Sequence, residues 1–529
     1  MNLRNIRTRL SGRPLRSRTA VNNIDSHVTP VPKRRSWDNT AAPISYTFQE
    51  IHSPITCPYD RPVEAIREME YPHMNNGVYL DHSGTTIYAQ STVERFAKKM
   101  STSLLGNPHS ANEPAKLSGD MVDDVRLKAL RFLGADPRHF DLVFVANATA
   151  AIKLVADSFR DLAEQTRSGS FWYGYHRDAH TSIIGVRELA NGEHKCFESD
   201  EEVDAWLDDP LDPSLDLNRR DQSGLGLFGY PGQSNLTGRR LPVSWTRRLR
   251  ASKRGLLRNT YSLFDAAALA MTSPMEHVFG DPDAAPDFTC VSFYKIFGFP
   301  DLGGLVVRKD SGHILALRKY FGGGTVSLVS TIGSAWHMSK GLESTSNGGG
   351  GSDESNDHGN GGGGGGGGHG GGGLHEGLED GTLPFHSILA LGEAIEVHRE
   401  LYGSMKNISR HTTQLVKRMY SDVSALRYRN GQPLCNIYNE EGEVYGDAQR
   451  QGATIAFNVF RADGTYESYA AVEKLANERG IYIRSGGVCN PGGVFTALKY
   501  EQWQLNRARS AGHHCGSNGL GVINELPTG

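Results

Sequence analysis

A serine and a lysine stand near the end of a strand-like segment whose surroundings could alter the chemistry of the lysine. Ser292 and Lys295 lie in VSFYKIFGFPDLGG, residues 291–304, where most neighbours are apolar or aromatic. Burying an ammonium group in such a setting is costly unless the group is paired or neutralised. A desolvated lysine has a lowered pKa and can form a Schiff base with a carbonyl compound. Lys295 therefore predicts an aldehyde cofactor, and the alternative is a lysine whose ammonium reaches solvent from a strand end.

Two further side chains could face the ring of such a cofactor. Asp265 closes the run YSLFD and is followed by the small residues 266–268, which leave room for a flat ring. Its carboxylate can pair with a protonated heterocyclic nitrogen, whereas the alternative is an aspartate that caps the next turn. His180, in DAHTSIIGVRE, can stack on an aromatic cofactor or relay protons. The alternative for His180 is a histidine that only caps a helix.

The turn after residues 141–146 carries groups that suit a phosphate. Asn147, Ala148 and Thr149 place backbone N–H groups and a hydroxyl at a helix N-terminus, where an anion is favoured. Threonine is also an ordinary N-cap, so this feature alone is weak. Ser292 can add a second hydroxyl. An imine-forming lysine, an acid, a phosphate cup and a stacking ring together predict pyridoxal phosphate, and the combination is more specific than any of its parts.

Cys489 lies in YIRSGGVCNPGG, a loop rich in Gly, Asn and Pro that follows a strand. Such a loop predicts an exposed and mobile thiol, which a catalytic cysteine needs in order to reach its target as a thiolate. The alternative is an incidental loop cysteine. The six cysteines, at positions 57, 196, 290, 435, 489 and 515, include no CxxC pair. We therefore predict no metal site, no disulfide framework and a reducing compartment.

The elements that must position these groups alternate along the chain. Apolar runs typical of buried strands are followed by amphipathic helices, as where Ile152, Val155 and Phe159 mark one helix face. The alternation predicts an α/β fold with a large, mostly parallel sheet and helices on both faces, in which ligands collect at the carboxyl ends of the strands. The predicted strands are residues 141–146, 224–231, 261–266, 289–294 and 302–309.

The C-terminal part of the sequence predicts a smaller α+β domain. A long helix over SILALGEAIEVHREL leads to a strand at 453–460, a helix at 466–479 closed by Gly480, and a strand over IYIRS. The predicted divisions of the chain are a basic tail at 1–45, a large cofactor-binding domain at 46–395 and a small domain at 396–529.

The composition argues against several classes of protein. The 529 residues carry a net charge of −3, which argues against a dedicated nucleic-acid binder. No run has the roughly 18 apolar residues that a bilayer span requires, so no membrane association is predicted. The Arg- and Ser-rich tail has the composition of a mitochondrial transit peptide, but Gly12 and Pro14 would break a targeting helix. We favour a disordered tail on a cytoplasmic protein over a mitochondrial one, and we expect residues 344–373, mostly glycine, to be a disordered insertion.

Long motifs in this sequence resemble one known family. YLDHSGTT, GNPHS, DLVFVANATAAIKLVAD, DAHTSIIGVRE, GYPGQSNLTGRRLP, SFYKIFGFPDLGGL, EDGTLPF, CNPGG and AGHHCGSN are spread over most of the chain after residue 77. They are similar to motifs of the cysteine desulfurase-like, aminotransferase class-V domain of eukaryotic molybdenum cofactor sulfurases. The resemblance implies a pyridoxal phosphate-dependent enzyme of fold type I, normally a homodimer with its active sites at the subunit interface.

The resemblance also implies roles for the site residues. Lys295 would hold pyridoxal phosphate, Asp265 would bind the pyridinium nitrogen and His180 would stack on the ring. Asn235 would contact the phenolic oxygen of the cofactor. The residues that would hold the phosphate are Ala148, Thr149, Ser292 and, reaching the site of the partner subunit, Thr382.

For the reaction itself, the resemblance implies that Cys489 takes sulfur from L-cysteine as a persulfide and releases alanine. The sulfur would pass to the molybdenum cofactor, held by a separate MOSC-domain protein or molybdoenzyme. We expect this chain to lack a MOSC domain and to have a truncated small domain, because the family's substrate-binding arginine would follow residue 529. Arg484 is the candidate substitute. The alternatives are a related class-V lyase or epimerase, such as a selenocysteine lyase, and a non-catalytic protein that keeps the fold.

Overall fold

The structure, a computed structural model, describes residues 55–165, 169–191, 194–211, 224–340, 373–439 and 444–510, with short strands at 522–523 and 526–527. These residues belong to one compact unit, Ser45–Gly529. The predicted basic tail at 1–45 and, apart from Gly373, the predicted insertion at 344–373 lie outside the described residues.

Helices occur along the whole described part of the chain. In chain order they are α1 Val63–Glu70, α2 Gln90–Thr102, α3 Glu113–Phe132, α4 Ala148–Ala163, α5 Thr181–Ile184, α6 Asp200–Asp208, α7 Ser244–Ala251, α8 Gly255–Arg258, α9 Glu276–Phe279, α10 Phe293–Phe297, α11 Gly312–Ala316, α12 Phe385–Tyr402, α13 Met405–Ala425, α14 Tyr469–Glu478, α15 Pro491–Ala497 and α16 Gln502–Ser510. No helix among the described residues is both long and apolar enough to cross a membrane.

The strands of the described residues form one large sheet and several two-stranded pairs. They are β1 Val78–Tyr79, β2 Phe140–Val145, β3 Trp172–His176, β4 His194–Phe197, β5 Gly226–Pro231, β6 Thr260–Asp265, β7 Phe288–Ser292, β8 Gly303–Arg308, β9 Val326–Ser330, β10 Trp336–Ser339, β11 Cys435–Tyr438, β12 Ala456–Val459, β13 Ile481–Tyr482, β14 Val522–Ile523 and β15 Leu526–Pro527.

Seven strands form the central sheet, in the order β2-β8-β7-β6-β5-β3-β4. Every neighbouring pair is parallel except the two pairs that β8 makes, with β2 and with β7. The prediction of an α/β fold with a large, mostly parallel sheet is therefore confirmed. Because the parallel strands run in one direction, β5, β6 and β7 all end at the same edge of the sheet.

Apolar side chains cover both faces of this sheet. In β2, Phe140, Leu142 and Phe144 belong to one buried cluster, whereas Val143 belongs to the other. Alternate residues of a strand point to opposite faces, so the two clusters lie on opposite sides of the sheet. Helices α3 and α12 contribute to the first cluster, and α4 and α11 contribute to the second. The predicted helices on both faces are thus present.

The C-terminal part contains α13, the antiparallel pair β11–β12 and α14. Its strand β13 pairs in parallel with β1, with Val78 opposite Ile481, so this part contacts the segment before the large sheet. The predicted helix at 466–479 is α14, and Gly480 after it has a φ of +70°. The predicted division into domains at 46–395 and 396–529 stays a prediction.

Strands β9 and β10, which follow the last strand of the large sheet in the sequence, form an antiparallel hairpin. Several of its apolar side chains are exposed: Leu328, Val329, Ile332, Trp336 and Met338. This hairpin is not among the elements predicted from the sequence.

Candidate active site

Lys295 lies in α10, directly after the central strand β7. The sequence predicted a strand through residue 294, but β7 ends at Ser292 and Phe293 begins the helix that carries the lysine. Burial lowers the pKa of the half-buried Lys295 amine from its ordinary value. The Asp265 carboxylate raises that pKa in part, and the Arg484 guanidinium lowers it further. Lys295 thus has the desolvated environment that its sequence context predicts.

Asp265 ends β6, and its side chain is within electrostatic range of both Lys295 and His180. The residue is only 8% exposed. Its Oδ1 accepts a hydrogen bond from the N–H of Ala267 at 2.9 Å, so the carboxylate does cap the following turn. The cap uses Oδ1, and Oδ2, the outer oxygen, can serve a ligand. The turn cap is therefore observed, and the pairing of Asp265 with a ring nitrogen stays a prediction.

His180 caps the short helix α5 and also faces the site. Its Nδ1 accepts a hydrogen bond from the N–H of Ser182 at 3.1 Å, which places the proton of a neutral ring on Nε2. Burial lowers the pKa of His180, while the Asp265 carboxylate raises it and the Lys295 ammonium lowers it. The neutral ring with a proton on Nε2 can therefore donate to a ligand at physiological pH.

The N-terminus of α4 lies beside three hydroxyl groups. The N–H of Ala148 donates to Oγ of Ser292 at 3.2 Å, and Oγ1 of Thr149 lies 2.8 Å from Oγ of Ser182. Asn147 caps the helix, because its Oδ1 accepts from the N–H of Ala150 at 3.0 Å. Hydroxyls and helix N–H groups in one place make a site that favours a phosphate. Sequence reasoning missed Ser182, although a hydroxyl two residues after His180 was a readable signal.

A glycine of β8 allows the α4 N-terminus to approach the sheet closely. Gly303 lies opposite Val145 on one side and Ser292 on the other. A Cβ at this position would lie 2.5 Å from Cα of Asn147, which is closer than such atoms approach. The missing side chain therefore brings Asn147 and Ser292 together.

Cys489 is exposed, as predicted, and it lies within electrostatic range of Lys295. The predicted mobility of its loop stays a prediction, and hydrogen bonds to the carbonyls of Val488 and Cys489 hold the loop in this structure. The carbonyl of Val488 accepts from Nδ2 of Asn235 at 2.6 Å, and the carbonyl of Cys489 accepts from the N–H of Thr181 at 2.8 Å. The thiol is therefore presented on an anchored turn.

Arg484 and Asp81 form an ion pair in the wall of a cavity that Lys295 also lines. Nη1 of Arg484 lies 3.7 Å from Oδ1 of Asp81, and no described residue gives that buried oxygen a hydrogen bond. The cavity has a volume of about 750 Å³ and is lined by both residues together with Lys295 and Asn235. Sequence reasoning found Arg484 but missed Asp81, which lies in YLDHSGTT about 400 positions away from the arginine.

Thr382 is exposed and does not join the other predicted site residues among the described part of the chain. Its Oγ1 accepts a hydrogen bond from Nδ2 of Asn107 at 3.2 Å. Thr382 was expected to serve the site of a partner subunit, and that expectation stays a prediction.

Known proteins share parts of this sequence. Residues 78–191 match the family aminotransferase class-V. The chain is 46% identical to a molybdenum cofactor sulfurase from Aspergillus niger over 473 residues, which are 89% of this chain and 52% of that relative. One segment of the chain thus matches aminotransferase class-V, and over most of its length the chain is similar to molybdenum cofactor sulfurases. A sulfurase from Aspergillus fumigatus is 48% identical over 471 residues, 89% of this chain and 51% of the relative. The chain spans about half the length of the curated relatives it matches.

Solved structures of cysteine desulfurases share this fold. An enzyme from Thermococcus onnurineus NA1 is 17% identical with a TM-score of 0.57, over 82% of this chain and 90% of that chain. The desulfurase CsdA from Escherichia coli is also 17% identical, with a TM-score of 0.56 and the same two coverages. At this identity the likeness establishes the fold alone, and it confirms the predicted fold type I of pyridoxal phosphate-dependent transferases.

Proposed function

We propose that this chain is the pyridoxal phosphate-dependent cysteine desulfurase part of a molybdenum cofactor sulfurase. The observation that carries the proposal is the desolvated amine of Lys295, which has Asp265, His180 and the exposed Cys489 thiol within electrostatic range. The name of the relatives and the fold of the desulfurases support the same conclusion.

The residues around Lys295 fit pyridoxal phosphate by their chemistry. The amine of Lys295 is the attachment point for the aldehyde, and the outer oxygen of Asp265 would accept from a protonated ring nitrogen. The α4 N-terminus with Thr149 and Ser292 would hold the phosphate, and the amide of Asn235 would contact the phenolic oxygen. When bound, pyridoxal phosphate supplies an electron-withdrawing ring that stabilises negative charge on the α-carbon of an amino acid.

His180 and Lys295 are the groups that would move protons. Burial lowers the pKa of Lys295, which favours the neutral amine that can accept a proton when it is not bound to the aldehyde. The capping contact of His180 uses Nδ1 and leaves Nε2–H for another partner. The imidazole ring can therefore stack over a cofactor ring, and Nε2–H can donate a hydrogen bond. Burial is the largest cause of the lowered pKa at both residues.

Cys489 would be the sulfur acceptor. Its thiolate attacks the sulfur of L-cysteine, a new S–S bond forms, and the C–S bond of the substrate breaks. The electron pair of the broken bond stays on the β-carbon, which takes a proton to give L-alanine. The balance is Cys489–SH plus L-cysteine giving Cys489–S–SH plus L-alanine, so no external oxidant is needed. An exposed thiol can then pass the outer sulfur to an acceptor.

Arg484 would hold the carboxylate of L-cysteine. Its guanidinium lines the cavity beside Lys295 and lies 3.7 Å from the carboxylate of Asp81. A planar guanidinium binds a carboxylate through two hydrogen bonds, which is stronger than that contact. Substrate binding would therefore exchange one weak ion pair for a better one.

The partners belong to the proposal as well. The acceptor of the sulfur would be the molybdenum cofactor, presented by a MOSC-domain protein or a molybdoenzyme. A homodimer is supported by the exposed apolar side chains of the β9–β10 hairpin, such as Ile332 and Trp336, which a second subunit would cover. Sedimentation velocity on the purified chain tests this part, and a monomer at micromolar concentration would contradict it.

The first experiment is an absorbance spectrum of the purified chain with pyridoxal phosphate, before and after addition of L-cysteine. We expect a visible band that is absent in Lys295→Ala and that shifts with L-cysteine. A Cys489→Ser variant should keep the band and lose alanine release. Alanine release at the wild-type rate in that variant would refute the sulfur-transfer step and would favour a related class-V lyase.

A further inference from the structure

Asn490, directly after Cys489 in the sequence, is completely buried. Its Oδ1 accepts a hydrogen bond from the N–H of Gly493 at 2.9 Å, and the residue thereby caps α15. An N-cap uses only the side-chain oxygen, and serine performs that task as well as asparagine. The amide nitrogen of Asn490 is therefore available for a second task.

That nitrogen joins the cysteine loop to two parts of the large sheet's edge. Nδ2 of Asn490 donates to the backbone carbonyl of Asp178 and to Oδ1 of Asn235, both at 3.1 Å. It also lies 3.4 Å from Oγ of Ser234. Asp178 is two residues before His180, and Asn235 is the residue proposed to contact the cofactor's phenolic oxygen. One buried amide thus contacts both segments that would face the ring.

The loop makes further contacts with the same segment. The N–H of Thr181 donates to the carbonyl of Cys489 at 2.8 Å. A Cβ on Gly492 would lie 2.2 Å from the carbonyl oxygen of Arg177, so the two backbones are in direct contact there. Residues 489–492 therefore lie along residues 177–181 at several points, with Asn490 buried between them.

The backbone at the thiol is held in an unusual conformation. Val488 has a φ of +44° and Cys489 a φ of +58°, which non-glycine residues rarely adopt. Such a conformation persists only where surrounding contacts determine it. The contacts in question are those of Asn490, Asn235 and Thr181.

We propose that Asn490 is a positioning residue for sulfur transfer. Its amide nitrogen holds the Cys489 loop against residues 177–181 and Asn235, and so fixes the distance between the thiol and a substrate bound at Lys295. The inference rests on the proposed function of Cys489. It assigns Asn490 no contact with substrate or cofactor.

The test compares Asn490→Ser with wild type on two substrates. A serine keeps the cap of α15 but is too short to reach Asp178 and Asn235 while it caps. With L-cysteine we expect kcat for alanine release to fall about 10- to 100-fold, because small misplacements of a reacting group have effects of that size. KM should stay within about twofold. With 3-chloro-L-alanine, whose chloride leaves without thiol attack, the rate of chloride release should not change.

A second readout uses the cofactor-free protein and no activity. In hydrogen exchange, the peptide that contains Thr181 should exchange faster in Asn490→Ser, while the amide of Gly493 stays protected by the retained cap. Asn112→Ser is the matched control, because Asn112 caps α3 with one bond to Ala115 and lies at an exposed position. That control should change neither readout.

Several results would overturn the proposal. Equal losses with L-cysteine and 3-chloro-L-alanine would mean that Asn490 only supports the fold, and unchanged kcat and exchange would mean that it does not fix the loop. If Asn490→Ser does not fold, Gly492→Ala perturbs the same contact, and it should show the same selective loss. If the wild-type protein releases no alanine, or if Cys489→Ser still releases it, the proposed function is refuted and the inference falls with that function. The exchange data would still report the contact of Asn490 with the loop.

Discussion

Replacing Gly303 by alanine should weaken the binding of pyridoxal phosphate at the N-terminus of α4. The new Cβ would lie 2.5 Å from Cα of Asn147 and 2.7 Å from its carbonyl carbon. Carbon atoms in contact are separated by about 3.5–4.0 Å, so Asn147 would have to move by about 1 Å. The atoms concerned are backbone atoms, and no side-chain rotation can relieve the contact. Ala148 and Thr149 follow Asn147 directly and would move with it.

Two magnitudes follow from that displacement. Overpacking of a well-packed core costs about 1–3 kcal/mol of stability. A hydrogen bond to a charged group contributes about 1.5–3 kcal/mol, and a shift of about 1 Å removes most of one such bond to the phosphate. Since about 1.4 kcal/mol is tenfold in affinity, Gly303→Ala should raise the dissociation constant of pyridoxal phosphate about 10- to 100-fold.

Gly304→Ala provides a matched control in the same strand. Its Cβ would meet Cδ1 of Leu142 at 2.7 Å and the ring of Phe293 at 3.0 Å, both of them side-chain atoms in the core. We expect a comparable loss of stability with an affinity for pyridoxal phosphate within about threefold of wild type. The measurements are titration of the cofactor-free proteins, followed by absorbance, and thermal unfolding of the same samples.

Two patterns in these data would contradict a phosphate site at the α4 N-terminus. If Gly303→Ala is destabilised as much as Gly304→Ala but binds pyridoxal phosphate as tightly as wild type, the α4 N-terminus does not hold the phosphate. If both variants lose affinity equally, the loss reflects general destabilisation. Only a selective loss in Gly303→Ala supports the phosphate site.

Three further predictions concern other parts of the molecule. Asp265→Asn removes a charge that raises the pKa of Lys295, so the pH midpoint for the reaction of the amine with pyridoxal phosphate should fall. Arg484→Gln removes a charge that lowers this pKa, so the same pH midpoint should rise. Stopped-flow rates measured against pH test both shifts. Arg484→Gln should also raise KM for L-cysteine about 10- to 100-fold, but not for cysteamine, which has no carboxylate. Replacing residues 341–372 with about six Gly and Ser residues should preserve the fold and cofactor binding. A Cβ on Gly377 would lie 2.5 Å from the carbonyl oxygen of Lys340, so the chain on the two sides of the replaced segment is close together and a short linker can join it. Circular dichroism and the cofactor spectrum test this.

Local sequence patterns were sufficient for much of the large sheet. The strands around residues 141–146 and 261–266 are continuous apolar runs bounded by polar turns, and the structure places them within one residue of those positions. Strands β3 and β4 were missed because HKCF begins with a histidine and a lysine and WYGYH is a short run with a central glycine. The order of the strands could not be derived from local patterns, since β2 is separated from β7 by β8, which pairs antiparallel with both.

The candidate site shows the same limit more clearly. Asp265 and Lys295 could be assigned to adjacent strand ends, because a parallel sheet brings such ends together. Asn490 could not, because its role depends on a contact with Asp178 across 312 positions of the sequence. The Asn-Pro pair at its position is an ordinary helix-start signal, and only the burial of the amide nitrogen distinguishes it from a simple cap.

Apart from Asn235, which would contact the cofactor and also holds the cysteine loop, the groups for cofactor binding and for sulfur transfer lie on different parts of the chain. Lys295, Asp265 and the phosphate-binding groups belong to strands and helices of the central sheet, whereas Cys489 comes from a turn of the C-terminal part that is attached to the sheet's edge by hydrogen bonds. Changes at Gly303 should therefore alter affinity for pyridoxal phosphate, and changes at Asn490 should alter the thiol step alone. If a variant in either group impaired both properties equally, the two parts would form one cooperative unit, and the thiol could not be regarded as positioned independently of the cofactor.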